Sequence, residues 1–237
     1  SDIPDNTFAS VRVAVSAGEP LPPDIHQRFR ERFGVEILDG LGTTELAHIA
    51  ISNRPGCSVP GTSGTVVDGY EVSLRDESGE EVHGGEAGRL YVKGESVMVG
   101  YWNRTDRTRQ TLSGPFLATG DTYVQNPDGT YTCLGRSDDM LKVGGIWVSP
   151  TEVESCILEL KEIAQVAVVG ADDNEGLVKP KAFVVLETSA TEVDIEILVQ
   201  EHVKQRLAPF KYPRWVEIVD ELPQTATGKI KRYLLRS

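Results

Sequence analysis

The stretch Val11-Arg12-Val13-Ala14-Val15, followed by residues 22–33 and then by Val35–Leu38, decides the class of fold at the start of the chain. The first stretch is predicted to be a buried strand that is ended by Gly18, and Val35–Leu38 is predicted to be a second strand. Between them, apolar residues recur every four positions, two prolines stand at the start and Gly34 follows the end, which predicts an amphipathic helix. A strand, a helix and a strand in this order predict a β-α-β unit and a parallel sheet.

From about residue 59 to residue 135 the pattern changes to short apolar stretches separated by turn residues. Tyr70–Leu74 and Leu90–Val92 have the character of strands. Gly, Pro, Asn and Asp dominate the segments between such stretches, as at Glu77–Gly79, His83–Gly85 and Asn126–Gly129. This pattern predicts a small, mostly antiparallel sheet or a barrel.

A second unit is predicted to begin near residue 137. Ser149-Pro150-Thr151-Glu152 is a strong helix start, with a capping serine, a proline in the first turn and a glutamate that completes a capping box. A second amphipathic helix is predicted over residues 192–207, introduced by Thr191. The strand-like stretches between and after the helices are Val166–Val169, Ala182–Leu186 and Trp215–Val219. Together they predict an α+β domain of roughly 100 residues.

The bulk composition excludes several classes of protein. The chain has 237 residues, of which 25% are charged, and its net charge of −12 argues against a nucleic-acid surface. No apolar stretch approaches the ~20 residues of a transmembrane helix, so no membrane span is expected. Cys57, Cys133 and Cys156 are far apart and form no CxxC pair, so neither a disulfide framework nor a zinc site is expected. A cytoplasmic location is predicted.

The loop Asp39-Gly40-Leu41-Gly42-Thr43-Thr44-Glu45 follows the second predicted strand. Ligands of α/β sheets bind at the carboxyl ends of the strands. Glycines let backbone amides approach an anion, a threonine hydroxyl can bond a phosphate oxygen, and a glutamate is a hard oxygen ligand for Mg²⁺. Taken alone, a turn with an N-cap threonine explains this loop at least as well.

Three further loops combine glycine with charged or hydroxyl side chains. Ala118-Thr119-Gly120-Asp121 could hold ribose hydroxyls through its aspartate, or it could form an Asx turn. Gly135–Lys142, at the predicted boundary, could be a hinge or a solvated charged face. Thr227-Gly228-Lys229 lacks the spacing of a Walker A loop, and on its own it is an exposed turn.

In this fixed order, the four motifs Gly-Leu-Gly-Thr-Thr-Glu, Ala-Thr-Gly-Asp, Gly-Arg-Ser-Asp-Asp and Thr-Gly-Lys-Ile resemble the acyl-adenylate-forming superfamily. This superfamily comprises acyl- and aryl-CoA ligases, peptide-synthetase adenylation domains and luciferases. The resemblance runs from residue 11 to residue 236. It implies that residues 1–137 are the C-terminal part of the large AMP-binding domain and that residues 138–237 are a mobile C-terminal domain. The implied fold class is α/β followed by α+β: the end of a large domain, with a β-α-β unit and a barrel-like part, and then a complete small domain.

The resemblance also implies the residues that bind the nucleotide. Asp121, assisted by Arg136, would hold the ribose hydroxyls. Thr44 would bond the α-phosphate, and Glu45 would hold Mg²⁺. The residues at the adenine would be Ala17, Gly18 and Glu19 on its face, with Asp39 and Gly40 at its edge.

For the C-terminal part, the resemblance implies that Lys229 is the catalytic lysine of adenylation. A carboxylate attacks the α-phosphorus of ATP, and a preorganised cation that bonds both groups would stabilise the charge in the transition state. Asp138 would be the hinge about which the C-terminal domain rotates. In the second step, Lys142 would take part, and Gly144 and Gly145 would border the tunnel that admits the CoA thiol.

Within the superfamily, Leu38–Ile49 and Ile51–Arg54 are most similar to benzoate-type CoA ligases. This implies that Gly42 leaves room for a flat ring and that His48 lies near the aromatic acid; a packed core histidine is the alternative. The expected substrates and cofactors are a small carboxylic acid, ATP, Mg²⁺ and CoA, and a homodimer stays open. The alternatives are an adenylation domain that loads a carrier-protein thiol and a non-catalytic fragment that binds nucleotide or a partner. Because the family's phosphate loop is expected upstream of residue 1, we expect this chain alone not to turn over.

Overall fold

The computed structural model describes residues 3–188, 194–226 and 228–236. Both parts of the chain combine helices with strands, so the fold is mixed α/β. The chain divides into two compact units, Ser1–Ser137 and Asp138–Ser237. No helix of the described ranges is both long enough and apolar enough to cross a bilayer.

The first unit begins with a four-stranded sheet. Strand β1 (Ala14–Ala17) leads through helix α1 (Pro23–Phe33) to β2 (Ile37–Gly42), which pairs parallel with β1. Strands β3 (Ile49–Ser52) and β4 (Thr65–Val66) follow in antiparallel pairing, so the order is β1-β2-β3-β4. The predicted β-α-β unit and its parallel pairing are confirmed.

Helix α1 begins one residue later than the predicted residues 22–33 and ends where predicted, whereas the first strand differs more from its prediction. Helix α1 ends at Gly34, which has a φ of +67° and donates its amide to the carbonyl of Arg30. The strand begins at Ala14, and the side chains of Val13 and Val15 are 45% and 60% exposed. The prediction of a buried strand at Val11–Val15 is wrong for this chain, because among the described residues β1 is an edge strand and Val13 and Val15 are exposed.

A second, antiparallel sheet completes the first unit. Its strand order is β5-β6-β8-β7, and β9 pairs with a different part of β8 from the one that pairs with β7. The elements are β5 (Tyr70–Arg75), β6 (Ala87–Gly94), α2 (Thr105–Thr111), β7 (Leu112–Ser113), β8 (Phe116–Gln125) and β9 (Tyr131–Arg136). The predicted antiparallel sheet is present, and the strand pairs of the described residues do not close it into a barrel.

One apolar core joins the two sheets of the first unit. Leu46 and Ile51 from the first sheet region are fully buried against Leu90, Leu117 and Tyr123 of the second. Each fully buried aliphatic side chain contributes about 1.5–3 kcal/mol. The loop after β2 is therefore held on the second sheet by its own core residue, Leu46.

The second unit is built on a three-stranded sheet with two helices. The sheet order is β12-β13-β14, in which β12 and β13 are antiparallel and β13 and β14 are parallel. The elements are β10 (Leu141–Val143), β11 (Ile146–Val148), α3 (Pro150–Ile157), β12 (Ile163–Asp172), β13 (Val178–Leu186), α4 (Ile195–Arg206) and β14 (Trp215–Ile218). This agrees with the predicted helices and strands.

Both helices of this unit begin with a side-chain cap. The Ser149 hydroxyl accepts the amide of Glu152 at 3.1 Å, as the capping pattern predicts. Helix α4 begins after Asp194, whose carboxylate accepts the amide of Ile197 at 3.2 Å. The predicted start at Thr191 lies outside the described residues.

Alternation along the strands gives this sheet two apolar faces. Val168 and Val184 belong to the cluster packed against helices α3 and α4. Their neighbours Val169 and Phe183 point to the opposite face. That second face is covered by residues of the C-terminal tail, namely Leu222, Ile230 and Leu235.

Close packing of the backbone makes Gly64 irreplaceable, and this can be measured. Its φ is +85°, and an added Cβ would lie 2.2 Å from the backbone of Ser52 and Asn53. Gly79 has a similar φ of +88° with nothing within 4 Å. We expect Gly79→Ala to lower the free energy of unfolding by about 1–2 kcal/mol through backbone strain alone, and Gly64→Ala by about 3–5 kcal/mol. Urea unfolding of the full-length natural protein measures both, and equal losses would contradict the packing argument.

Candidate functional site

Parallel pairing brings the predicted adenine turn beside the loop that follows β2. Ala17 lies opposite Gly40 in the register of β1 and β2. Gly18 follows with a φ of +95° and turns the chain out of the sheet. The amide of Leu21 then approaches the Asp39 carboxylate, with a distance of 3.4 Å to Oδ2. The turn itself, residues 17–19, is exposed and therefore accessible to a ligand.

Asp39 is a buried carboxylate at the centre of this arrangement. The residue is 7% exposed, and its Oδ1 is buried with no hydrogen-bond partner among the residues that the structure describes. Burial raises the pKa of Asp39 to about 6, although the amide of Leu21 acts in the opposite direction. An acceptor that is buried without a partner is costly, so this oxygen is a candidate to bind a donor from a ligand.

Asn53 fixes the backbone around Asp39, and the sequence reasoning assigned it no role. Its amide nitrogen donates to the carbonyls of Asp39 at 3.1 Å and of Thr62 at 2.6 Å. Its amide oxygen accepts the amide of Val59 at 2.9 Å. One 5% exposed side chain thus joins β2 to the loop that precedes β4. No local pattern indicates this role, since the partners lie up to 14 residues away.

The loop after β2 ends in a short 3₁₀ helix, Thr44–Leu46, which carries Glu45. Thr43 stands at its N-cap, as the alternative of an N-cap threonine expects, but its side chain makes no capping bond. The Tyr101 hydroxyl donates to Glu45 Oε1 at 2.7 Å, and this bond is the largest of the effects that lower the pKa of Glu45. Thr44 is exposed beside it.

The segment around Tyr101 holds this turn in three places. The Ser96 hydroxyl donates to the carbonyl of Leu46 at 2.7 Å, and the amide of Met98 donates to the carbonyl of Glu45 at 2.8 Å. The third bond is that of Tyr101 to the Glu45 carboxylate. Tyr101 was missed in the sequence because it lies 56 residues from its partner, with no motif that connects them.

Asp121 and Arg136 face each other on strands β8 and β9. Arg136 Nη1 lies 3.2 Å from Asp121 Oδ1 and donates to the carbonyl of Thr119 at 3.1 Å. Gly120 has a φ of +80°, and an added Cβ would lie 2.6 Å from the Arg136 guanidinium. Asp121 is a strand residue, so the Asx-turn alternative is wrong. The arginine orients a carboxylate whose side chain is 13% exposed.

Electrostatic effects indicate that the predicted nucleotide residues of the first unit are near one another. Burial, together with the charges of Asp121 and Asp39, raises the pKa of the Cys133 thiol to about 11. The positive charge of Arg136 is among the effects that lower the pKa of Glu45. Asp39 and Asp121 therefore lie within electrostatic reach of Cys133, and Glu45 lies within electrostatic reach of Arg136, although these residues come from three separate motifs.

Gly42 and His48 lie next to each other because their backbones pack closely, which the sequence did not suggest. A Cβ on Gly42 would lie 2.7 Å from the carbonyl oxygen of His48, so backbone packing in the β2–β3 hairpin already requires a glycine. The His48 residue is exposed, so the alternative of a packed core histidine is wrong. Its imidazole is accessible to a ligand in the first unit.

In the second unit, Lys142 lies on a tight hairpin. It pairs with Trp147 across β10 and β11, and its Nζ lies 5.1 Å from the centre of the Trp147 ring, within the range of a cation–π contact. Gly144 and Gly145 form the turn with φ values of +57° and +85°, which a two-residue hairpin requires. Asp138 is the first residue of this unit and is exposed.

Lys229 lies on a closed loop of the C-terminal tail. Its carbonyl accepts the amide of Thr225 at 2.8 Å, and its amide donates to the Thr225 hydroxyl at 3.0 Å. A bridge between Gln224 and Ile230 closes the base of the loop, and Gly228 takes a φ of +84°. Thr227 lies outside the described residues.

The candidate metal residue is a single carboxylate. Within the described ranges, no three or more His, Cys, Asp or Glu side chains come together as a metal site. The cysteines are Cys57, Cys133 and Cys156, and all three are free thiols, as the spacing predicts. Mg²⁺ takes only one or two carboxylates when substrate phosphates and water complete its shell, so Glu45 fits an ion of that kind.

Comparison with known proteins identifies the class. Residues 2–102 match the family profile described as "AMP-binding enzyme", and residues 152–229 match "AMP-binding enzyme C-terminal domain". The chain belongs to this family of AMP-binding enzymes, and the resemblance to adenylate-forming enzymes is confirmed.

Among its relatives, the chain is similar to benzoate-type CoA ligases. It is 49% identical to benzoate–CoA ligase of Thauera aromatica, covering 100% of this chain and 45% of that protein. It is 47% identical to 4-hydroxybenzoate–CoA/benzoate–CoA ligase of Rhodopseudomonas palustris, covering 95% and 42%. The structure of the anthranilate CoA ligase AuaEII in complex with anthranoyl-AMP superposes with a TM-score of 0.92 and 46% identity, covering 96% and 44%. The chain thus spans less than half the length of these relatives.

The buried Asp39 should make stability depend on pH. Because its pKa is raised from 3.8 to about 6 by folding, the folded protein binds more protons than the unfolded protein in this window, and wild-type stability falls as pH rises through it. In Asp39→Asn this loss is absent. As the pH rises from 4 to 7, we expect the unfolding free energy of the variant minus that of wild type to increase by about 1–3 kcal/mol.

Urea unfolding across that pH range measures this effect. The matched control is Asp68→Asn, since the Asp68 side chain is 98% exposed. If the difference in unfolding free energy between Asp39→Asn and wild type does not change with pH, the assignment of a buried carboxyl with a raised pKa is contradicted.

Proposed function

We propose that the natural protein carrying this chain activates a benzoate-like carboxylic acid with ATP and then transfers the acyl group to the thiol of CoA, releasing AMP. The observation that carries the proposal is that a chain 47–49% identical to benzoate–CoA ligases holds two of its predicted nucleotide-site carboxylates in place, Asp121 beside Arg136 and Glu45 by the Tyr101 hydroxyl. A cytoplasmic location and a homodimer stay predictions of the sequence.

The first unit supplies the nucleotide site in this proposal. Residues 1–137 act as the C-terminal part of the large AMP-binding domain, and adenine lies against the exposed turn of Ala17, Gly18 and Glu19. The buried Asp39 Oδ1, next to Gly40, is a suitable acceptor for an amino group at the adenine edge. Asp121 accepts hydrogen bonds from the ribose hydroxyls, and Arg136 holds its carboxylate in place.

The first half-reaction joins the acid to AMP. An oxygen of the carboxylate attacks the α-phosphorus, the bond between that phosphorus and the β-bridging oxygen breaks, and pyrophosphate leaves with its electron pair. The exposed Thr44 hydroxyl bonds an α-phosphate oxygen. Lys229 donates to both reacting groups and stabilises the charge that they share in the transition state.

The second half-reaction needs other groups at the same adenylate. The CoA sulfur attacks the acyl carbon, its proton is lost to the solvent, and the carbon–oxygen bond to AMP breaks. We assign this step to Lys142 and to the turn Gly144–Gly145. The boundary between the compact units falls directly before Asp138, which supports a hinge there and a mobile domain over residues 138–237.

Glu45 is the residue that would hold Mg²⁺ when the ion arrives with the nucleotide. A bound Mg²⁺ would neutralise phosphate charge during the displacement. The chain's own contribution is to orient the carboxylate, and Tyr101 does this through its 2.7 Å hydrogen bond.

The acid site is proposed to include Gly42 and His48. The exposed imidazole of His48 is available to contact the acid, and the relatives named above support an aromatic acid. The packing of Gly42 against the His48 backbone places these two residues together irrespective of the ligand. A panel of ring-substituted benzoates tests the preference.

The role of Lys229 can be tested by separating the half-reactions in the full-length natural protein. Lys229→Ala should lower acid-dependent ATP–pyrophosphate exchange about 100- to 1,000-fold, because one preorganised donor to the transition state is lost. Thiolysis of a preformed acyl-adenylate by CoA should stay within about threefold. The control is Lys231→Ala on the same tail, which should leave both rates near wild type. Equal loss of both half-reactions in Lys229→Ala would refute the assignment.

Tyr101→Phe tests the orientation of Glu45. Removing one hydroxyl frees the carboxylate to rotate, so we expect the Mg²⁺ concentration for half-maximal exchange to rise about 3- to 10-fold. Direct Mn²⁺ binding in the presence of ATP, followed by electron paramagnetic resonance, should weaken in parallel. Tyr70→Phe is the control, because Tyr70 bonds Ser96 of the same segment and not Glu45. Unchanged Mn²⁺ binding in Tyr101→Phe would contradict this role.

A further inference from the structure

The C-terminal tail carries a nearly buried ion pair that none of the roles above uses. Arg232 begins the short 3₁₀ helix Arg232–Leu234, and its Nε and Nη2 donate to the two carboxylate oxygens of Glu154 at 3.1 and 2.7 Å. The side chains of Arg232 and Glu154 are 15% and 8% exposed. Two parallel bonds of this kind give geometric specificity as well as strength.

Glu154 also closes the edge of the sheet. Its Oε1 accepts the amide of Val168 at 2.8 Å, and Val168 belongs to the edge strand β12. Amides at a sheet edge need a partner when they are buried. Glu154 therefore joins helix α3, strand β12 and the tail, and loss of either charge would leave the other buried without its partner.

The tail that this ion pair holds is the one that carries Lys229. Ile230 packs in the apolar cluster on the face of the sheet opposite the helices. The amide of Lys231 donates to the carbonyl of Pro223 at 2.8 Å, which closes the two arms of the loop against each other. Backbone bonds thus give the loop its shape, and the Arg232–Glu154 pair, together with the apolar contacts of Ile230 and Leu235, anchors the loop on the unit.

We propose that Glu154 and Arg232 are positioning residues for Lys229 in the adenylation half-reaction. The inference rests on the proposed role of Lys229. A lysine on a long stem reaches its target only if its loop begins at the right place, and a misplacement of about 1 Å can lower a rate about 100-fold. Neither residue touches the substrate; both act through the loop.

The first test compares Arg232→Gln and Glu154→Gln with wild type in the full-length natural protein. We expect acid-dependent ATP–pyrophosphate exchange to fall about 10- to 100-fold in each variant, while thiolysis of a preformed acyl-adenylate stays within about threefold. The matched control is Lys211→Gln, which breaks an ion pair of 2.7 Å to Glu152 on the same helix without touching the tail. Exchange in the control should stay near wild type. Equal loss of both half-reactions in the tail variants would overturn the inference.

A double variant separates positioning from general stability. Because the ion pair acts through Lys229, Lys229→Ala/Arg232→Gln should exchange no more slowly than Lys229→Ala alone. A further full loss in the double variant would overturn the inference. If Arg232→Gln exchanges normally while Lys229→Ala is inactive, the inference about positioning is overturned and the proposed function stands. If Lys229→Ala itself exchanges normally, the proposed function is overturned as well.

Trypsin gives a readout that does not depend on activity. Arg232→Lys keeps the positive charge beside Glu154, so it preserves the fold if Arg232→Gln does not. It cannot make both parallel bonds, so it still weakens the anchor. With the anchor weakened, the loop opens more often, and we expect the product cut after Lys229 to form about threefold faster or more than in Lys211→Gln. An unchanged rate of this cut in Arg232→Lys, measured by mass spectrometry, would overturn the inference.

Discussion

The close approach of backbone segments around the β2–β3 hairpin is the constraint on which the candidate site depends. Gly40, Gly42 and Gly64 each have a backbone oxygen at 2.2–2.8 Å from the position of a Cβ, so no other residue fits without movement. These contacts bring strand β2 against the segments that follow it and fix the direction in which the chain leaves the sheet. The 3₁₀ helix that carries Thr44 and Glu45 begins at that exit.

Three carboxylates of the first unit have different environments, and the proposed function gives each of them a different role. Burial raises the pKa of Asp39, and its Oδ1 has no hydrogen-bond partner among the described residues. Glu45 accepts the Tyr101 hydroxyl, and Asp121 lies beside the Arg136 guanidinium. A neutral or weakly satisfied acceptor suits an amino group of a ligand, whereas carboxylates held by donors remain charged for hydroxyl groups or a cation. The fold thus gives the three carboxylates different environments, which match the separate roles proposed for them.

In the second unit, packing on both faces of one sheet holds the segment that carries Lys229. Its helices cover one face of the sheet, and the tail covers the other with Ile230 and Leu235. Arg232 crosses the sheet edge to reach Glu154, which connects the two faces. In the proposed reaction, a loop anchored in this way brings its lysine to the reacting centre with its geometry already set, and this lowers the entropic cost of assembling the site.

The sequence by itself determined the local structure and the class of protein. The start of α3 at Ser149, the end of α1 at Gly34 and the antiparallel sheet follow from neighbouring residues, whose caps and turn preferences act over a few positions. The motifs around Glu45, Asp121 and Lys229 sufficed for the family. Tertiary structure alone decided the exposure of Val15 and His48, the reason for a glycine at 42, and the partners Tyr101 and Arg232. Burial and pairing across 50 or more residues depend on which surfaces meet, and a local pattern does not contain that information.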